Sequence, residues 1–220
     1  MLKHLAWLAL ANTTALLVSD SIIDFRPGGT GVFISQKGPA ATPVWVACLY
    51  LHVVAGAVCL ISSLPQFSRT VLRRFPALHR TCGIAFAISV LLVLCPTGMV
   101  LALSAKGGWL GQGGFLLLGA ATFFTTSRGV AAVAIGPRNL ANHRRWMIRS
   151  FAMVTTALSF RVYHLALFQL GLAEMTNYLT SLYLSILGNA AVAEWLVRNR
   201  AGARLTPSSR IQPSQTQTSP

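Results

Sequence analysis

Acid is what this sequence has least of. Only 4 of 220 residues are Asp or Glu, against 18 Lys and Arg, and charged residues make up 10% of the chain. An ordinary soluble domain carries roughly 25%, so that class is excluded. The basic excess would suggest nucleic acid in a soluble protein, but here the bases fall between long apolar runs, and nucleic-acid binding is not expected. No catalytic nucleophile, paired carboxylates or phosphate loop favours a hydrolase, and no catalytic residue is assigned. The four cysteines, Cys48, Cys59, Cys82 and Cys95, contain no C-x-x-C pair and all lie inside apolar runs. This argues against a zinc site or a disulfide framework and makes them small core residues. The glycine-rich stretch Gly107 to Gly114 has neither G-x-G-x-x-G nor G-K-[ST] and reads as a tight outer turn. The sequon-like Asn12-Thr13-Thr14 is unusable inside an apolar run.

Long hydrophobic runs are what the chain does have. About 20 apolar residues at helical rise cross the hydrocarbon core of a bilayer. Six such runs are present, roughly Leu5 to Ile23, Pro43 to Leu64, Thr81 to Ser104, Gly113 to Ile135, Trp146 to Gln169 and Tyr178 to Val197. Pro43 suits a helix start, Pro65 and Pro137 follow helix ends, and Pro96 predicts a kink inside the third run. The fold class is therefore all-α, a polytopic transmembrane bundle of about six helices over residues 1–198. Residues 199–220, rich in Ser, Thr, Gln, Pro and Arg, read as a disordered basic cytoplasmic tail. The first run is expected to remain as a helix, because Ser19-Asp20-Ser21 is a poor signal-peptidase site.

The bases orient the bundle. Lys3, then Arg69, Arg73, Arg74 and Arg80, then Arg138, Arg144, Arg145 and Arg149, and finally Arg198, Arg200, Arg204 and Arg210 all fall on one side. Only Arg26, Lys37 and Lys106 fall in the loops of the other. By the positive-inside rule both termini are cytoplasmic. Arg69, Arg73, Arg74, Arg144, Arg145 and Arg149 are expected to reach lipid phosphates of an anionic cytoplasmic leaflet.

Histidine carries the remaining chemistry. His52 and His164 fall at matched depth in the outer third, whereas His79 and His143 both lie at cytoplasmic helix ends. Paired neutral imidazoles can ligate a haem iron from both sides, through His52 and His164 or through His79 and His143. Arg128 and Arg161 lie within spans, where an uncompensated charge costs about 2.5–3.5 kcal/mol and calls for a partner or a cavity. Arg161 is expected to point inward with His52, and Arg128 has Glu194 on its side of the membrane. Either arginine could instead hold haem propionates or lipid phosphate. Gly56, one turn after His52, is expected to let a ring or helix approach.

The stretches "LHVVAG" (Leu51 to Gly56), "QFSRTVLRRFPALHRTCG" (Gln66 to Gly83) and "HRRWMIRSF" (His143 to Phe151), with Arg161 beyond them, resemble a bacterial membrane family filed as domain of unknown function 2306. The likeness covers about residues 44–168. It rests on His52, Gln66-Phe67, His79-Arg80, Gly83, His143-Arg144, Trp146-Met147, Arg149 and Arg161; His164 is outside the pattern. The resemblance implies a membrane protein and brings no established activity. A looser likeness, in architecture and histidine placement, is to four-helix b-type cytochromes and ferric reductases.

Three readings follow. The first is a multi-pass integral membrane protein with a structural or regulatory role. The second is an electron-transfer protein binding haem b through intramembrane histidines, with a redox partner or quinone. The third is a small proton-linked transporter using His52 and Arg161.

Overall fold

A computed structural model describes residues 37–202 together with Ile34. The first apolar run, Leu5 to Ile23, lies outside the described residues, as does the tail beyond residue 202. Among the described residues there is no strand, and five helical spans are long and apolar enough to cross a bilayer: Pro43–Phe67, Pro76–Ala102, Gly108–Ala134, Leu140–Gln169 and Glu174–Asn199. Each of the other five runs read from the sequence corresponds to one of them. The all-α polytopic bundle is thereby observed.

Helix α1 (Pro43–Ser63) starts where Thr42 accepts the Trp45 N–H at 3.2 Å and Pro43 occupies the first turn, where its missing N–H is not needed. A 3-10 turn, Leu64–Phe67, leads to the short basic helix α2 (Arg69–Arg74), capped by Ser68 accepting from Val71 N. The second span begins at Pro76 as α3 (Pro76–Ile88), five residues before the run read from hydropathy, because the opening turn carries His79 and Arg80. It widens into a π-helical stretch, Ser89–Leu94, and resumes as α4 (Cys95–Ala102). Pro96 is the cause: it lacks an N–H and its ring crowds the carbonyl four residues back, so the wider turn relieves the clash.

Helix α5 (Gly108–Ala134) takes in most of the glycine-rich stretch expected as a turn. Only Gly107 and Gly108 have left-handed backbone, with φ +91° and +59°, and the chain turns there. Helix α6 (Leu140–Val154) is capped by Asn139, which accepts from Asn142 N at 2.9 Å. At Thr155 the fourth span bends into α7 (Thr156–Gln169). The Thr155 hydroxyl donates back to the carbonyls of Phe151 and Ala152, both at 3.0 Å, a local competition that bends helices. Helix α8 (Glu174–Gly202) closes the bundle and continues four residues past the point where the tail was expected to begin.

Helices α5 and α6 make the closest pair. Gly129 admits Met147, whose sulfur would lie 2.6 Å from an added Cβ, and the buried hydroxyls of Thr126 and Ser150 bond across the seam at 2.6 Å. Helix α8 packs on α7 and α6, and α1 packs on α3, the π stretch and α4. One apolar cluster, Cys59, Leu60, Phe86, Val90, Cys95, Val154 and Leu158, joins α1 to both broken spans. Leu92, Leu103, Val162 and Leu187 remain more than half exposed, as lipid-facing positions require.

Candidate functional site

The two ends of the bundle differ chemically. At one end the cations are lysines: Lys37 donates to the Ser104 carbonyl at 2.8 Å, and Lys106 bonds Glu174. Partial burial, with Lys106 nearby, holds the Lys37 amine below the ordinary lysine range. At the other end the cations are arginines, and most of the residues picked out by sequence motif gather there.

Gln66, in the turn after α1, donates to the His79 carbonyl at 2.8 Å. Gly83, one turn further along α3, would place a Cβ 3.5 Å from Gln66 Oε1, so the amide lies along the glycine. Phe67 packs on Phe151 with ring centroids 4.5 Å apart. Gln66 thus ties the turn after α1 to His79 and Gly83 on α3. The His79 ring is half-buried, and its Nδ1 is buried with no hydrogen-bond partner. His143, in the first turn of α6, comes within electrostatic range of His79. Its Nδ1 lies 2.7 Å from the Gly129 carbonyl, which can only accept, so Nδ1 carries a proton. The helices bearing the two histidines pack chiefly on other elements, α3 on α1 and α6 on α5. Both histidines thus stand at the arginine-rich end of the bundle.

Beside it stands Trp146. The Arg149 guanidinium lies 4.7 Å from the indole centroid and that of Arg128 lies 5.6 Å from it, while Phe124 meets the ring edge-on at 5.5 Å. Arg149 binds Glu194 with both ends of its fork, Nε to Oε1 at 2.5 Å and Nη2 to Oε2 at 3.0 Å. This corrects two expectations. Glu194 serves Arg149 rather than Arg128, and Arg149 spends its fork on a carboxylate instead of on lipid. The helical register decides it: Ile148, one residue before Arg149, packs with Ala193 and Val197 on α8, which brings Glu194 to the same seam. Arg69, Arg73, Arg74, Arg128, Arg144 and Arg145 are exposed.

The outer pair is not assembled. The His52 Nδ1 lies 3.0 Å from the Leu94 carbonyl and 3.2 Å from the Thr97 hydroxyl, at the junction of the π stretch and α4. The glycine that admits the ring is Gly98, not Gly56: a Cβ at Gly98 would fall 2.9 Å from His52 Cε1, whereas one at Gly56 would meet Leu94 at an ordinary 3.7 Å. His164 sits elsewhere, stacked on Phe160 with centroids 5.6 Å apart, and its backbone carbonyl accepts from Asn177 at 3.0 Å. Its Nδ1 is buried without a hydrogen-bond partner. Helix α7, which carries His164 and Arg161, packs mainly on α8, while His52 serves the second span. Arg161 is exposed rather than turned inward with His52, because the inward face of α7 is taken by Thr156 and Leu158.

Sequence reasoning also passed over Asn189, half-buried between α6, α7 and α8. It donates to the Ala152 carbonyl at 2.9 Å and accepts from Ser159, also at 2.9 Å. Its signal was an amide in an apolar run with small residues on both sides. Among the described residues no group of three or more His, Cys, Asp or Glu is placed to hold a metal ion.

A family model described as "Predicted membrane protein (DUF2306)" matches residues 49–197. The match reaches from α1 through α8, further than the motif-bearing core of residues 44–168. No curated protein and no solved structure matches the chain.

Proposed function

This chain belongs to the DUF2306 family of predicted membrane proteins and is an integral membrane protein; from that premise we propose that His79 and His143 hold a b-type haem iron and that the protein exchanges single electrons at its arginine-rich end. We place that end at the cytoplasmic face of a bacterial inner membrane, on the excess of Lys and Arg in the segments on its side. The observation that carries the reading is the buried, unpartnered Nδ1 of His79, at the same end of the bundle as a His143 whose own Nδ1 is already committed. An unmet polar atom in a native interior calls for a group to satisfy it. A histidine whose Nδ1–H is held by a carbonyl has the tautomer that metal-bound imidazoles use.

Two imidazoles from separate helices are the donor set that such an iron takes, and this supports the reading. His143 is fixed by Gly129, and the His79 backbone is fixed by Gln66. Arg80 and Arg144 follow the two histidines directly and supply positive charge for carboxylate substituents. The bound group would supply reversible one-electron chemistry, with its potential set by axial ligands and burial. Since the outer histidines are not brought together, the reading has one haem, and its redox partner is a cytoplasmic protein or a quinone in that leaflet.

The test is a panel of purified variants with absorption spectra taken oxidised and reduced. His79→Ala and His143→Ala each lose or severely weaken the b-type spectrum, whereas His52→Ala and His164→Ala retain it. Loss of stability without any spectral change in the first two would instead support the structural reading, in which the histidines only pack and orient the helices.

A further inference from the structure

We propose that Arg128 and Trp146 form a headgroup site for an anionic phospholipid on the lateral face between α5 and α6. Acid is scarce in this protein. The whole chain has four carboxylates. Glu194 is bound by Arg149, and Glu174 is bound by Lys106 at the opposite end of the bundle. Asp20 and Asp24 lie outside the described residues. Among the described residues the Arg128 guanidinium meets the Trp146 ring and no carboxylate.

Its position makes that cation unusual. Arg128 is exposed and lies six residues before the end of α5, roughly 9 Å along the helix at 1.5 Å per residue. It is level with the first turns of α6, since its neighbour Gly129 accepts from His143. A charge at that depth on a lipid-facing surface requires an anion or a route to the headgroups, and an arginine stem can reach the phosphate layer while its methylenes stay in hydrocarbon.

The site is also rigid. The indole is clamped by Phe124 at its edge and by Arg149, whose fork is pinned to Glu194. Arg128 rests on that clamped ring. Its planar guanidinium is thereby presented for two parallel bonds to phosphate oxygens, the geometry arginine favours. Phe124, 55% exposed, continues the face towards the membrane centre, where an acyl chain would lie. Because Glu194 neutralises Arg149, the local excess charge is that of Arg128, with Arg144 and Arg145 on the next helix adding attraction for anionic over zwitterionic lipid.

The test is native mass spectrometry of the full chain in detergent, titrated with phosphatidylglycerol and, in parallel, with phosphatidylcholine. The expected result is one tight phosphatidylglycerol site that phosphatidylcholine fills poorly. Arg128→Gln should weaken it roughly fivefold to tenfold, the scale of one phosphate-facing base. Trp146→Leu should weaken it as well, by freeing the guanidinium. Millimolar inorganic phosphate should not compete, because a lipid, not a free anion, is the ligand; displacement by phosphate would overturn the lipid assignment. Arg74→Gln removes the same charge from α2 and should leave the tight site unchanged. If Arg74→Gln weakens binding as much as Arg128→Gln, or if Arg128→Gln has no effect in a variant whose helical content is intact, the attraction is diffuse and the site does not exist.

Discussion

Removing the carboxylate of Glu194 should cost about 2 kcal/mol of stability, and the figure follows from geometry. Glu194 receives two bonds from one guanidinium, and the side chains are 23% exposed for Arg149 and 42% for Glu194. An exposed pair contributes about 0–1 kcal/mol after screening, whereas breaking a buried one costs about 3–5 kcal/mol. Partial exposure in a seam between two helices puts this pair between those limits, with discounting for solvent on the glutamate side. Glu194→Gln keeps shape and loses charge, so it isolates the electrostatic part. Arg149→Met keeps the stem that packs on Trp146 and loses the fork. Reversible unfolding of the detergent-solubilised protein by sodium dodecyl sulfate, followed by circular dichroism, gives each free energy. The double variant should be less destabilised than the sum of the singles by about 1–2 kcal/mol, the coupling of residues in direct contact. If Glu194→Gln costs under about 0.5 kcal/mol, or if the two changes are additive, the pair contributes nothing to holding α6 against α8 and the reasoning fails.

Other outcomes follow from single contacts. Gly98→Ala forces a Cβ into the His52 ring and should destabilise the bundle by about 1–3 kcal/mol in the same unfolding assay; adding His52→Ala should recover part of the loss, and full additivity would refute the contact. Lys37, held below the lysine range, should react with an amine label at lower pH than a lysine peptide that titrates near 10.4, and Lys106→Met should move its midpoint upward. No change in that midpoint would remove Lys106 as a cause. A cysteine introduced at Arg74 in a cysteine-free background should be blocked by a membrane-impermeant thiol reagent only in inverted vesicles; labelling in intact spheroplasts would reverse the proposed orientation.

Hydropathy and proline read the helical class directly, because burying twenty backbone units in lipid leaves little choice but helix. The helix starts were less legible. α3 and α6 each begin with a polar turn that carries His79 or His143, and a hydropathy window discounts such turns. Depth matching sets His79 and His143 at one level, as it must for two helix ends on one side of a membrane. The same rule misled for His52 and His164, because equal depth says nothing about which helices are neighbours: α1 faces the second span, and α7 faces α8. Gly98 escaped notice for the same reason, its role being visible only once α1 and α4 are seen in contact. The Arg149–Glu194 pair lay hidden in rotation, since three bases within seven residues of α6 look alike until packing decides which one meets α8.

The most direct test of the central claim is the haem content of the wild-type protein, purified in mild detergent from cells amply supplied with haem and assayed by pyridine haemochrome together with its reduced-minus-oxidised spectrum. Ligation by His79 and His143 predicts one b-type haem per chain with a sharp low-spin spectrum. A purified, folded protein containing no haem, or one whose haem survives replacement of both histidines, would contradict it.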